Sequence, residues 1–181
     1  SGVDGLRVSN STKGGITFAA STTQNGIHMI TVVLGVEAVD GDPYARFVAT
    51  SSLMNYVVRT FVSSIVVKEG DPYGKSKATI MDGKSETVLA VAKKDFYIVE
   101  KQGSQAEPKI QFKSDQESFR APVKSGTSLG KLHYTDPDKI GRGYLEDQEP
   151  TVDMVAGRTI EKSFFLKVWW NEFVRYVNEK L

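Results

Sequence analysis

The sequence predicts an α+β chain that is mostly β: strands and one helix at the start, an antiparallel β-sandwich in the middle, and an amphipathic helix at the end. Three observations carry this reading. Asn25-Gly26 separates two β-rich runs, short β-like runs broken by turn residues fill the stretch from Ile65 to Tyr134, and Thr159 to Leu181 contains neither Gly nor Pro.

The first element is a hairpin. Ile16 to Thr22 and His28 to Leu34 flank Gln24-Asn25-Gly26, and Asn-Gly tolerates the positive φ angles of a tight turn. Asp42-Pro43 then supplies an N-cap and a first-turn proline. From Tyr44 to Phe61, Phe47, Met54, Val58 and Phe61 recur at near-helical spacing, which predicts a helix packed on the hairpin. These strands and helix are too little sheet to close a core alone. After Phe61 the runs are Ile65 to Lys68, Thr87 to Ala92, Asp95 to Glu100, Lys109 to Lys113, Phe119 to Val123 and Gly130 to Tyr134. Gly70-Asp71-Pro72, Asp82-Gly83, Gly103, Ser125-Gly126 and Asp136-Pro137 interrupt them, the punctuation of an antiparallel sandwich or barrel. The expected regions are therefore 1–62, 63–158 and 159–181. In the last, Leu166, Trp169, Trp170, Phe173, Val174, Tyr176, Val177 and Leu181 fall on one helical face. Lys167, Asn171, Arg175, Asn178 and Glu179 fall on the other.

Composition narrows the function classes. With 40% hydrophobic residues the chain can pack a core, and 23 Lys plus Arg against 22 Asp plus Glu gives no charge excess to advertise nucleic acid. The absence of Cys removes disulfides and thiolate chemistry, and fits either a reducing cytosol or a bacterial surface. The longest apolar stretch, near Phe164 to Trp170, is interrupted by Lys167 and falls short of the roughly 20 residues a spanning helix needs. The chain opens mid-pattern at Val3-Asp4-Gly5-Leu6 with no Met, and reads as an excised or processed piece with Ser1-Gly2 as a cloning or protease scar.

Several motifs have bland explanations. Ser128-Leu129-Gly130-Lys131 matches Ser-x-x-Lys, but its glycines place it among β-turns, whereas the chemistry needs a helix. Lys131 also lacks the flanking residues of a biotinyl or lipoyl carrier lysine. Thr23-Gln24-Asn25 echoes Ser-x-Asn, and turn chemistry explains it. His28 and His133 lie in β-rich runs without triad or metal spacing. Asp136, Asp138, Glu146, Asp147 and Glu149 lack the EF-hand pattern and read as a solvated loop.

Taken in order, Val3-Asp4-Gly5-Leu6, the hairpin, Ile30 to Gly35, Ala45-Arg46-Phe47 and Leu53-Met54-Asn55-Tyr56 resemble the end of the transpeptidase-type domain of low-molecular-mass penicillin-binding proteins. The Ala121-Pro122-Val123-Lys124-Ser125-Gly126 turn, Gly130-Lys131-Leu132 and the Phe164 to Trp170 segment resemble the streptococcal D-alanyl-D-alanine carboxypeptidases of that family. The resemblance covers essentially the whole chain. It implies the end of a β-lactamase/transpeptidase-like catalytic domain over 1–62, then the β-sandwich, then a helix that attaches to the outer face of the bacterial cytoplasmic membrane. It also implies binding of peptidoglycan stem peptides and β-lactams, acyl-enzyme trimming of pentapeptides, and no metal or organic cofactor.

The family uses Ser-x-x-Lys, Ser-x-Asn and Lys-Thr-Gly. The first two lie upstream in the family, so the chain alone is expected to be inactive and none of its residues is assigned as catalytic. The Lys-Thr-Gly position reads Arg7-Val8-Ser9. Arg7 keeps the positive charge, Val8 removes the hydroxyl that would bond the substrate carboxylate, and Ser9 adds a Cβ where glycine gives room. An altered segment and a degenerate paralogue both fit this departure. The resemblance further implies membrane contacts from Leu166, Trp169, Trp170, Phe173, Tyr176 and Val177. A non-catalytic spacer with a membrane tether is the alternative reading. A sheet edge lacking its partner strands predicts self-association of the isolated chain.

Overall fold

The computed structural model describes residues 4–11, 15–36, 44–105, 107–136, 138–141, 143–144, 148–164, 169–170, 174 and 176–177, with 4–11 described as backbone only. The described residues are mostly β with one long helix. They divide into two units, one of residues 1–64 with 99–105, the other of 65–98 with 106–181.

In the first unit β1 (Asp4–Ser11), β2 (Gly15–Gln24) and β3 (Ile27–Val36) form an antiparallel sheet in sequence order. Asn25 and Gly26 both take positive φ, 52° and 75°, so the β2–β3 turn follows the twist of its strands. Alternation along β3 buries Ile27, Met29, Thr31 and Val33 and turns His28, Ile30, Val32 and Leu34 outward. Ile27 and Met29 of this set join Phe18 and Ala20 of β2 and Met54 of α1 (Ala45–Thr60) in one core. The Phe18 and Phe47 rings meet edge to face at 5.2 Å. The helix starts at Ala45 after Tyr44, with no side-chain cap bond, and the expected cap Asp42-Pro43 lies outside the described residues. Residues 99–105 belong to this unit through bonds to its last residues. Gln102 N–H donates to Thr60 O at 2.7 Å, and Ser64 Oγ donates to Glu100 Oε1 at 2.5 Å.

The second unit is built around a six-stranded sheet. It contains β5 (Pro72–Met81), β6 (Thr87–Ala92), β8 (Lys109–Ser114), β9 (Phe119–Arg120), β10 (Ser128–Thr135) and β11 (Thr151–Ala156), ordered β8-β10-β11-β6-β5-β9. The strands β4 (Phe61–Val67) and β7 (Phe96–Lys101) pair separately, and each crosses the division between units. Val67, Phe96 and Ile98 from that pair close over Val88, Leu132, Val152 and Met154 of the large sheet. Arg120 Nε lies 3.3 Å from the buried carboxylate of Asp82, which fixes β9 against the end of β5.

Four sequence expectations are corrected. The sheet is not wholly antiparallel, because β9 pairs parallel to β5 through Ile80 with Phe119 and Met81 with Arg120. The run expected to Val123 ends at Arg120, since Pro122 has no N–H for a ladder, and Val123 makes an isolated bridge to Ile160. Two strands, β5 and β11, were not expected at all. The C-terminal helix does not begin at Thr159: Thr159 to Phe164 is non-helical. Ile160 is buried in the core, and Gly83 bridges Lys162.

Candidate functional site

The strand carrying the Arg7-Val8-Ser9 segment is β1, an edge of the three-stranded sheet. Its register sets Arg7 opposite Ala19, Val8 opposite Phe18 and Ser9 opposite Thr17, after an irregularity between Gly5 and Arg7. Phe18 lies under α1, whereas Ala19 pairs with the outward Val32. On that outward face β3 leaves Ile30, Val32 and Leu34 exposed by 62%, 55% and 72%. Three consecutive outward positions are large and aliphatic, so β3 is apolar on both sides, the pattern of a strand made to be covered on both. The opposite edge of the sheet is β3 itself.

The remaining sequence motifs scatter. Ser128 and Lys131 both lie on β10, where three residues of extended chain separate them by roughly 10 Å. A helix would bring the same spacing to about 5–6 Å. Ser128 Oγ instead faces Asp115 Oδ2 at 3.4 Å, and Lys131 stands opposite Asp153. Thr23 and Gln24 end β2, directly before the Asn25-Gly26 turn. His28 lies exposed on β3 opposite Thr23.

In the acidic stretch, Asp136 Oδ1 accepts the Asp138 N–H at 2.9 Å and Glu149 Oε2 accepts the Thr135 hydroxyl at 2.8 Å. Glu146 and Asp147 lie outside the described residues. The Tyr144 hydroxyl lies 3.4 Å from Asp136 Oδ2, and burial, then the Asp136 charge, pushes it up to about 12. Among the described residues no cluster of His, Asp or Glu is arranged to hold a metal ion.

His133 sits half-buried on β10, opposite Gln111 of β8 and Thr151 of β11. Burial, then the charges of Lys113 and Lys131, lowers its pKa below the ordinary 6.5, with Glu149 opposing. The folded state therefore resists protonation that the unfolded chain accepts. Above pH 6.5 this costs nothing, and as pH falls from 6.5 through the folded midpoint stability is lost. A proton NMR titration should place the His133 midpoint below 6.5, and Lys113→Gln should raise it. A midpoint at or above 6.5 in the parent would contradict the packing described here.

Of the expected membrane-facing residues, Leu166 and Phe173 lie outside the described set. Trp169, Trp170 and Tyr176 are helical and exposed, and Val177 is helical and half-buried. Among the described residues no helix is long and apolar enough to cross a membrane. Sequence reading missed one feature of the second unit, an open groove beside Leu89 and Val91. It arises from a register shift between β5 and β6, which no motif announces.

Comparison with known proteins agrees with this architecture. Residues 61–162 match the family described as penicillin-binding protein 5, C-terminal domain. The chain is 26% identical over 133 residues to the D-alanyl-D-alanine carboxypeptidase DacA of Haemophilus influenzae, covering 73% of this chain and 32% of that protein. Among solved structures it is similar to a peptidoglycan synthesis regulatory factor, PBP3, from Streptococcus pneumoniae. That match has a TM-score of 0.81 and 42% identity over 89% of this chain and 44% of the other. Penicillin-binding protein 5 from Haemophilus influenzae shares the fold, at a TM-score of 0.61 and 22% identity over 88% of this chain and 43% of that one. The chain thus spans less than half the length of each of these relatives. With more than half of its residues inside the family match, the chain belongs to the penicillin-binding protein 5 C-terminal domain family.

Proposed function

We propose that these 181 residues are the C-terminal part of a serine-type D-alanyl-D-alanine carboxypeptidase that trims peptidoglycan pentapeptides on the extracytoplasmic face of the bacterial membrane. One observation carries the reading. The similarity to PBP3 covers 89% of this chain at 42% identity, so it reaches well past residues 61–162 into the strands and helix of the first unit. The uncovered apolar face of β3 supports it, because a three-stranded sheet with Ile30, Val32 and Leu34 outward needs more of a domain to bury them. On this account residues 1–62 close a transpeptidase-like domain, 63–158 form the sandwich-like domain, and the chain beyond Phe164 is a membrane tether.

The chemistry divides accordingly. A serine in the preceding segment attacks the D-Ala-D-Ala carbonyl, its proton passing to the lysine of the same motif. The terminal D-alanine leaves as the amine, and water then hydrolyses the acyl-enzyme. The part played by this chain is to hold the substrate carboxylate along β1. Arg7 supplies a permanent positive charge, and a guanidinium can meet a carboxylate in bidentate geometry. Val8 contributes no hydroxyl, so Arg7 carries the recognition that lysine and threonine share elsewhere in the family.

Release of D-alanine from a pentapeptide tests this. Joined to the preceding segment of the PBP3 relative, the chain should release it, with Arg7→Ala lowering kcat/KM about a hundredfold through loss of a charge-assisted pair. The 181-residue chain alone should release none. An inactive joined polypeptide that nonetheless folds, or full activity in Arg7→Ala, would overturn the assignment of β1.

A further inference from the structure

The outer face of the large sheet carries a groove of about 630 Å³ at the β5–β6 pairing. Its origin is local. Pro72 pairs with Val91 and Lys77 with Leu89, so four residues of β5, Tyr73 to Ser76, stand against the single Ala90 of β6. The excess chain leaves the outward side chains Leu89 and Val91 as the floor of the groove, with Lys77 opposite Leu89 and Val155 of β11 opposite Val91. Gly157, just beyond β11, keeps that floor open: a Cβ there would lie 2.9 Å from Val91 Cγ1. Leu89 is 45% exposed as a result.

The rim is basic. Lys77 lies across from Leu89 on one side. Arg158 follows Gly157, whose N–H donates to Leu89 O, on the other. Among the described residues the lining includes no Asp or Glu, and neither Lys77 nor Arg158 makes an ion pair. The Arg158 guanidinium has only a long contact, 3.4 Å, to Ser85 Oγ. Two unpaired cations thus flank an apolar floor in a groove of ordinary ligand-site size, which is ~300–1,000 Å³.

We propose that this groove binds an extended peptide segment of a partner protein that carries aliphatic side chains beside a carboxylate. The charge of the rim selects the acid. The floor selects the extended form, because Leu89 and Val91 stand two residues apart, roughly 6.8 Å along the strand. Alternate side chains of an extended ligand repeat at that same spacing, whereas a lipid acyl chain would need a longer slot than two side chains provide. Contact is by side chains, since the floor residues belong to β6, which is paired with β5 on one side and β11 on the other. The proposal does not depend on the carboxypeptidase reading.

The probe is the capped peptide acetyl-Gly-Leu-Glu-Leu-Gly-amide, titrated into the isotope-labelled chain and followed by amide NMR. Saturable shifts are expected at Leu89, Val91 and Gly157. Replacing the peptide's Glu by Gln should weaken binding about fivefold, as should Lys77→Glu or Arg158→Glu in the protein, the scale of one exposed charge contact. Both side chains are exposed, so unchanged melting temperatures will show that these variants fold. The proposal is overturned by any of three results: no shift at these residues at millimolar peptide, equal affinity for the Glu and Gln peptides, or shifts there with phosphatidylglycerol vesicles but not with peptide.

Discussion

Gly130→Val should unfold the second unit or cost it about 4 kcal/mol or more, among the largest effects a single substitution produces. Gly130 sits in β10 at φ 148°, directly after the register shift against β11. A Cβ there would lie 2.1 Å from Lys113 O and 2.8 Å from Ser114 Cα. Both are backbone atoms of β8, which pairs antiparallel with β10 in the register Gly130–Ser114 and Lys131–Lys113, so no side chain can swing aside. Leu129 directly before it and Leu132 two residues after it are fully buried, and moving the strand would pull both from the core. Gly126→Ala is the control. Gly126 also has positive φ, 84°, but nothing lies within 4 Å of its Cβ position, so the cost should be only about 1–2 kcal/mol of backbone strain. Urea unfolding of both variants separates sterics from conformation. A Gly130→Val protein within about 1 kcal/mol of the parent would contradict the β8–β10 pairing.

Removing residues 165–181 should abolish binding to anionic vesicles while leaving the second unit folded. The cut belongs after Phe164 because the preceding residues are structural. Ile160 is buried, Thr159 Oγ1 accepts the Ser125 N–H at 3.0 Å, and Ser163 N–H donates to Asp82 O at 2.8 Å. Trp169, Trp170 and Tyr176 beyond it are exposed by 61%, 58% and 60%, amphipathic rings of the kind that sit at headgroup level. Large apolar side chains gain up to roughly 1.5–3 kcal/mol each on full burial and less at an interface, so Trp169→Ala with Trp170→Ala should weaken binding about a hundredfold. Sedimentation with phosphatidylglycerol vesicles measures it. Undiminished binding by the shortened chain would remove the tether from the account.

Much of the architecture is readable from residues whose local chemistry has one outcome. Asn25-Gly26 fixes the first hairpin, and the alternation of β3 gives its inward set. The strands that escaped notice are those with small inward residues. In β5 the buried positions are Ser76, Ala78 and Ile80, interleaved with Lys75 and Lys77, so the alternation is real but the apolar signal is weak. In β11, Val152, Met154 and Ala156 alternate cleanly, yet the acidic stretch and Pro150 directly before them read as loop. The expected helix starts too early because neither Gly nor Pro interrupts the run from Thr159, whereas the tertiary bridge of Ile160 to Val123 and its burial in the core hold the chain non-helical there. The parallel β5–β9 pair depends on two residues, Phe119 and Arg120, and is secured by the Arg120–Asp82 contact between distant segments. The family resemblance places Arg7-Val8-Ser9 on a sheet strand, whereas nothing in the sequence points to the groove at Leu89. It is a product of register within the β5–β6 hairpin, where four residues of β5 face one of β6, and no residue type in either strand marks that shift.

The central proposal is that this chain is part of a penicillin-binding carboxypeptidase whose nucleophile lies outside these 181 residues. Intact mass after incubation with benzylpenicillin tests it most directly, with the 181-residue chain run beside the same chain joined to the preceding segment of the PBP3 relative. The account predicts one covalent penicilloyl adduct on the joined polypeptide and none on the chain alone. An adduct on the chain alone, at Ser128 or Ser9, or no adduct on a folded joined polypeptide, would contradict it.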